Sequence, residues 1–298
     1  MTEITLLDGS IGQELVKRAG DRPTALWSTQ VMIKHPKLVG EVHLEYFQAG
    51  ASVATTNTYA VLRDRLAREG LDDQFEALTE AAVMSARRAR AAYGSGRIAG
   101  ALGPIGASYR ADVAPPAEEA AKIYGETVAL LKDHVDLLLI ETVSSLQQAE
   151  GALLACMGQG LLVWLALSVD DEDGTRLRSG EGVADVAPLI EKHQPDAICI
   201  NCSRPEAIGP TLEIIKGFGK PFGAYANGFT KISEGFLKDA PTVDALEQRH
   251  DLGPEAYAAF AMGWIGQGAT IVGGCCEVGP AHIAELAQCI TRAGYRIV

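Results

Sequence analysis

One pattern recurs along this chain of 298 residues. A short apolar or β-branched run is followed by a polar or glycine-rich loop and then by a longer stretch of helical periodicity. The short runs fall at 4–7, 52–56, 98–102, 137–141, 162–168, 197–201, 221–226 and 270–273. The helical stretches fall at 38–48, 71–93, 117–133, 146–157, 183–193, 205–216, 254–267 and 280–292. Eight such alternations predict an α/β fold, a parallel sheet closed into a (β/α)8 TIM barrel. An open doubly wound sheet usually has fewer strands. Barrels of this length fold as one unit, so residues 1–298 are read as a single domain. Helix punctuation agrees in places. Ser144 with Gln147 has the form of a capping box, Pro205, Pro254 and Pro280 each open a helical stretch, and Ala49-Gly50 closes one. In a barrel the residues that do chemistry stand at the carboxyl ends of the strands.

The bulk properties exclude several partners. A formal net charge of −12 and a pI near 5.0 disfavour nucleic acid and anionic membranes. The start, Met1-Thr2-Glu3-Ile4, lacks the basic residues and long apolar stretch of a signal peptide. The apolar runs are too short to span a bilayer. The expectation is a cytoplasmic protein, a monomer or small homo-oligomer, acting on small molecules. The chain ends one helix after its last cysteine pair, with no extra arm expected. In a reducing compartment its six cysteines are free, metal-bound or catalytic rather than disulfide-bonded. Cys156, Cys199 and Cys289 read as small apolar packing groups.

The other three cysteines stand at expected strand ends. Cys202 closes the run at 197–201, and Cys275-Cys276 follow the diglycine Gly273-Gly274. If both strands lie in one parallel sheet, the three thiols converge at its carboxyl edge. Three thiolates with a vacant fourth position form a zinc site able to accept a substrate, an arrangement suited to presenting a sulfur nucleophile. Neighbouring residues of a regular strand point to opposite faces, so the strand must bend or stop at the glycines for both cysteines to face inward. The residues alone leave open a buried thiol pair or a vicinal disulfide. Other strand ends are also polar: Asp8-Gly9-Ser10 after the first, Thr55 to Tyr59 after the second, Glu141-Thr142 after the fourth, Asn201 at the sixth and Tyr225 to Gly228 after the seventh. The acidic run Asp170 to Asp173 lacks the first and twelfth ligands of a calcium loop and reads as a solvated loop.

Taken in order, Leu7-Asp8-Gly9-Ser10-Ile11-Gly12-Gln13-Glu14-Leu15, Ala49 to Tyr59, Glu141-Thr142, Asn201-Cys202 and Gly273-Gly274-Cys275-Cys276 resemble the homocysteine S-methyltransferases, a zinc-dependent family. The resemblance extends to the stretch at Pro280, nearly the whole chain. It implies a TIM barrel with Zn2+ held by Cys202, Cys275 and Cys276, and Tyr59 able to take the fourth position before substrate arrives. It implies Asp8 and Glu141 at the amino-acid end of homocysteine, with the N–H groups of Gly9 and Ser10 holding its carboxylate. Asn201 and Asn227 are weaker candidates for orienting the substrate. Trp27 and Tyr59 are implied on the donor side, where aromatic faces stabilise a sulfonium.

The implied reaction moves a methyl group from a sulfonium donor, of the S-methylmethionine or S-adenosylmethionine type, to homocysteine and gives methionine. Two departures bear on the donor and the metal loop. The run Tyr225-Ala226-Asn227-Gly228-Phe229 differs from the Tyr-Pro-Asn-Ser-Gly type of relatives that use S-methylmethionine. Glu277 stands where a Gly-Thr is common. The alternatives are a betaine, thetin or methylfolate donor, a non-catalytic thiol- or zinc-binding barrel, and a dithiol redox enzyme using Cys275 and Cys276.

Overall fold

The computed structural model describes residues 2–20, 24–238 and 245–298. Eight strands follow one another around a closed ring. They are β1 (Glu3–Leu6), β2 (Val53–Thr55), β3 (Arg97–Leu102), β4 (Leu137–Val143), β5 (Leu162–Leu167), β6 (Ala197–Asn201), β7 (Phe222–Tyr225) and β8 (Ile271–Val272). From β2 to β8 each pairs in parallel with the next, and β8 pairs with β1. The ring closes through a short parallel bridge, Leu7 to Val53. There the Ser52 N–H donates to the Leu6 carbonyl (2.7 Å) and the Asp8 N–H to the Val53 carbonyl (3.0 Å). The expected barrel is therefore found.

Three details differ from the expectation. A ninth strand, β9 (Arg296–Ile297), follows the last helix and pairs with the start of β1. It lies along the same edge that β2 uses further on, because Thr2, Ile4, Leu6 and Asp8 all bond toward that side. Extra short helices, Ile11–Ala19, Ser28–Lys34 and Arg63–Ala67, fill the first two loops at the carboxyl edge. Helix Leu146–Cys156 is capped one residue later than read. Ser145, not Ser144, is extended and accepts from the Gln148 N–H, while the Gln148 side-chain carbonyl accepts from the Ser144 N–H. The Ser145 cap and the Gln148 side chain thus close the helix start, with the Gln148 carbonyl reaching the residue before the cap rather than the cap itself.

The pleat explains which residues reach the barrel interior. Leu7, Val53, Ala99, Leu137, Leu139, Trp164, Ala166, Ala197, Cys199, Tyr225 and Ile271 form one buried cluster, the side chains that fill the ring. Their neighbours, such as Leu138, Ile140, Val163, Leu165, Ile198 and Ile200, belong to the larger cluster shared with the outer helices. Strands covered on both sides read as continuous apolar runs; all seven positions of β4 are buried. Extending the two-residue period puts Thr55 above Val53, Glu141 above Leu139 and Asn201 above Cys199, all on the inner face at the carboxyl end. Among the described residues no helix is long and apolar enough to cross a membrane.

Strand β8 stops where the glycines begin. A Cβ on Gly273 would lie 2.5 Å from the Leu7 Cβ, and one on Gly274 would lie 2.2 Å from the Val278 Cγ1. These glycines serve close approach, since the chain at Gly274 donates to the Asp8 carbonyl (2.9 Å) and at Cys275 to the Ala226 carbonyl (2.9 Å). Gly274→Ala is therefore expected to lose about 1–3 kcal/mol of stability through overpacking, read as a lowered denaturation midpoint, together with reduced metal retention.

Candidate active site

The sulfur atoms of Cys202, Cys275 and Cys276 all lie within 4.8 Å of one another, at the wall of a cavity over the carboxyl edge. Cys202 is only 4% exposed. By the pleat it should point outward, because Asn201 before it points inward. Its backbone instead turns left-handed, with φ of +48°, and this brings the thiol back over the ring. The thiols of Cys275 and Cys276 donate toward Cys202, and the Thr142 and Tyr109 side chains add hydrogen bonds to it. Together they hold the Cys202 thiol well below its ordinary range. The other two thiols are pushed up by the negative sulfur they face. Three convergent sulfurs, one of them readily ionised, are a soft-metal donor set rather than an apolar packing group.

Two carboxylates stand in the same cavity. Asp8 accepts from the Thr55 N–H (2.7 Å) and from the Thr55 hydroxyl (2.8 Å). Glu141 accepts from the Tyr225 hydroxyl (3.0 Å). Burial pushes Asp8 up to about 7 against the pull of the Thr55 hydrogen bonds. Burial also pushes Glu141 up to about 8, reinforced by the charge of Cys202 and of Asp8. No lysine or arginine is paired with either among the described residues. Two under-compensated carboxylates in one cavity are poised for a cationic guest.

Backbone strain is concentrated here. Trp27, Tyr109, Thr142, Cys202 and Glu277 all have positive φ without being glycine. Four of them line the cavity, and Glu277 follows Cys276. Left-handed residues with side chains persist only where their surroundings hold them. Thr142 is held by Asn201, whose Oδ1 accepts from the Thr142 N–H (2.9 Å) and whose amide donates to the Thr142 hydroxyl (3.2 Å). Cys202 is held by Arg178, which donates to the Cys202 carbonyl (3.1 Å) and to the Ser168 hydroxyl (3.0 Å). Arg178 is paired with Asp171 at 2.8 Å, with side chains 9% and 8% exposed. Asp171 also accepts from the Ile232 N–H (2.8 Å). The acidic run read as a solvated loop thus contributes a buried ion pair. Glu277 accepts from the Gln13 amide (2.7 Å) and pairs with Lys17, which accounts for a long side chain at this turn.

The opposite wall is aromatic. Trp27 and Tyr59 meet edge to face, 6.1 Å between centroids. The indole N–H donates to Gln13 Oε1 (2.8 Å), and the ring lies over Gly12, where a Cβ would come within 2.3 Å of it. The Tyr59 hydroxyl bonds to the Ser108 hydroxyl (2.8 Å) and feels the charge of Cys202.

Of the residues singled out from the sequence, Asp8, Gly9, Ser10, Trp27, Tyr59, Glu141, Asn201, Cys202, Cys275 and Cys276 all line the cavity. Some have other duties than those expected. The Ser10 N–H donates to the Val278 carbonyl (2.9 Å), and the Ser10 hydroxyl caps helix Ile11–Ala19, so this N–H is spent. Asn201 is bound to Thr142. Asn227 is absent from the cavity lining; its Oδ1 closes a turn by accepting from the Phe229 N–H (3.2 Å). Sequence reading missed Tyr109, Arg178 and Asp171, which touch the expected residues only in three dimensions, and gave no role to Gln13 within the first motif. Tyr225 was visible as an aromatic at a strand end.

A family model described as homocysteine S-methyltransferase matches residues 5–290. The chain is 32% identical over 302 residues to the homocysteine S-methyltransferase of Escherichia coli strain K12, covering 95% of this chain and 94% of that one. It is 29% identical to homocysteine S-methyltransferase YbgG of Bacillus subtilis strain 168, covering 95% and 93%. Among solved structures, the metallated form of the homocysteine methyltransferase MmuM from Escherichia coli superposes with a TM-score of 0.80 at 29% identity, covering 96% of both chains.

The Arg178 latch acts on Cys202 through its carbonyl. Arg178→Gln is expected to weaken metal retention about 10- to 100-fold, as for other groups that orient a ligand, measured by competition with a chromophoric chelator.

Proposed function

The chain belongs to the homocysteine S-methyltransferase family, and from that membership we propose that it moves a methyl group from a sulfonium donor to the thiol of homocysteine, giving methionine, with zinc at Cys202, Cys275 and Cys276. The observation that carries this reading is the meeting of three sulfurs within 4.8 Å in the same cavity as two buried carboxylates. The sulfur set fits the ion. Zinc–sulfur bonds of about 2.3 Å in a tetrahedron place sulfurs about 3.8 Å apart, within reach of small side-chain adjustments here. When bound, zinc supplies a Lewis acid that keeps a coordinated thiol deprotonated at neutral pH.

The chain's own residues then bind and orient. The ammonium of homocysteine lies against Asp8 and Glu141, which regain their charge by pairing with it. Its carboxylate takes the N–H groups of Gly9, Ile11 and Gly12, since the Ser10 N–H is engaged by the Val278 carbonyl and the Gln13 N–H by the Ser10 hydroxyl. The hydroxyls of Thr142 and Tyr109 stabilise the sulfur of Cys202. Trp27 and Tyr59 face the onium centre and keep water away. The thiol proton leaves to solvent. An electron pair on the homocysteine sulfur forms the new S–CH3 bond, and the donor sulfur keeps the pair of the bond that breaks. The donor departs as a neutral thioether and needs no general acid. Rate enhancement comes from alignment of the two sulfurs and from an ionised nucleophile.

Cys202→Ala, Cys275→Ala and Cys276→Ala are each expected to lose bound zinc and methyl transfer together. Zinc is quantified by elemental analysis, and turnover by methionine formation with a panel of donors. Full activity in a zinc-free Cys275→Ala protein would overturn the reading.

The raised carboxyl groups give a signed pH dependence. An acid raised to about 7 or about 8 is largely protonated at pH 6.5, and pairing with an ammonium requires the ionised form. Homocysteine binding at pH 6.5 is therefore expected to release protons from these carboxyl groups in addition to the thiol proton. The release fades above roughly pH 9, where both groups are already ionised. Calorimetry in buffers of different ionisation enthalpy reads the proton count, and Asp8→Asn lowers it.

A further inference from the structure

We propose that Gln13 and Glu277 are positioning residues, which set the Trp27 ring from the turn that carries Cys275 and Cys276. The relay itself is geometric; its bearing on methyl transfer rests on the reading above, in which Trp27 faces the onium centre.

The relay is a short chain of hydrogen bonds. The Trp27 indole N–H donates to Gln13 Oε1 (2.8 Å). The Gln13 amide donates from Nε2 to Glu277 Oε1 (2.7 Å), and the other carboxylate oxygen pairs with the Lys17 ammonium. Gln13 is 6% exposed and the Glu277 side chain 5%, so water is largely kept from these bonds. An indole N–H only donates, and a carboxylate only accepts. The group between them must accept on one side and donate on the other, which an amide does in one orientation. Turned over, it would set N–H against N–H and carbonyl against carboxylate. Gln13 is therefore locked, and its carbonyl fixes where the indole N–H points.

Glu277 stands at a place that suits glycine. The Val278 N–H donates to the Cys275 carbonyl (3.1 Å), closing a four-residue turn in which Glu277 is third, with φ of +66°. The Gly228 N–H holds the Cys276 carbonyl (2.7 Å), so the peptide between Cys276 and Glu277 is fixed as well. A side chain at positive φ strains a turn that glycine would leave relaxed. What the strained position supplies is a carboxylate delivered to Gln13.

Trp27 needs such an anchor. It also has positive φ, +48°, and it begins helix Ser28–Lys34 without a side-chain cap. Its ring packs on Gly12 and meets Tyr59 edge to face. Packing of this kind has little directional preference, whereas a hydrogen bond at Nε1 has a strong one. One polar chain thus registers the aromatic wall against the paired cysteines. Alignment of the two reacting sulfurs depends on that register.

The test reads the indole N–H signals of the isotope-labelled, zinc-loaded full chain by NMR, with Trp27 identified by its loss in Trp27→Phe. Gln13→Met should move the Trp27 signal and speed its exchange with solvent about 10-fold or more. Glu277→Gly relaxes the turn, so it should keep the denaturation midpoint and still loosen the Trp27 signal, to a lesser degree. Glu277→Gln still offers a carbonyl to the Gln13 amide and should restore it. Should Gln13→Met fold poorly because it strands the buried carboxylate, the Gln13→Met/Glu277→Gly pair removes both groups and gives the same readout. In turnover, Gln13→Met should lower kcat/KM for the donor roughly 10-fold, with the homocysteine KM and bound zinc within about twofold, and should add nothing in a Trp27→Phe background. An unmoved Trp27 signal in Gln13→Met or in Glu277→Gly, or additive losses with Trp27→Phe, overturns the relay. A Glu277→Gln protein as disturbed as Glu277→Gly also overturns it, since charge and not the hydrogen bond would then be the cause. Absence of turnover with every donor in wild type overturns the methyl-transfer reading, and the indole signal still decides the relay.

Discussion

The site depends on the backbone at Cys202 turning against its own pleat. Strand β6 delivers Asn201 to the inside of the ring, and the next residue belongs outside. A left-handed turn returns it to the mouth, where its sulfur meets those of Cys275 and Cys276. L-residues resist that conformation by roughly 1–3 kcal/mol, so the fold must hold it. It does so with Arg178 on the Cys202 carbonyl and with Asp171 behind the guanidinium. Asn201 does the same service for the strained Thr142 on β4, whose side chain in turn donates toward the Cys202 sulfur. The polar residues flanking the cysteines are therefore a frame that fixes their geometry.

The second requirement is close approach at Gly273 and Gly274. With no side chain there, the end of β8 drops onto Leu7, Asp8 and Val278. The same contacts set Asp8 beside Thr55 through the β1–β2 closure. Closing the ring, ending β8 and placing the first carboxylate are thus one packing arrangement. The cavity it creates has a floor of sulfurs and carboxyl groups and a mouth with aromatic rings and arginines. A zwitterionic thiol fits the floor.

Much of this was legible in the residue order. The alternation of apolar runs and amphipathic stretches predicts the barrel because strand burial on both faces and helix burial on one leave different periodicities. Cys202, Cys275, Cys276, Asp8 and Glu141 were recognisable because polar residues ending buried runs must lie at a sheet edge. Errors came where a local signal had a near-equal neighbour or a competing use. Ser144 and Ser145 offer the same cap, and only the extended backbone at Ser145 decides between them. The Ser10 N–H looked free, but Val278 returns from the far end of the chain to claim it. Asn227 stands next to the right strand end, yet its side chain closes its own turn. The strand β9 was too short to leave a periodic trace.

The sequence by itself determined the fold class, the eight inner strands and the strand-end position of the sulfur and carboxylate groups, since these follow from periodicity and from where polar residues interrupt buried runs; the family resemblance singled out Asp8 and Glu141 among them. Tertiary structure decided which N–H groups are spent, which backbone positions are strained, and that Arg178, Asp171 and Tyr109 belong with Cys202. It also decided that Arg65 and Arg68 look into the cavity. The physical reason is range. Periodicity is a property of neighbours along the chain, whereas hydrogen-bond satisfaction and charge balance in a cavity are settled by residues that are distant in sequence and become adjacent only when the ring closes.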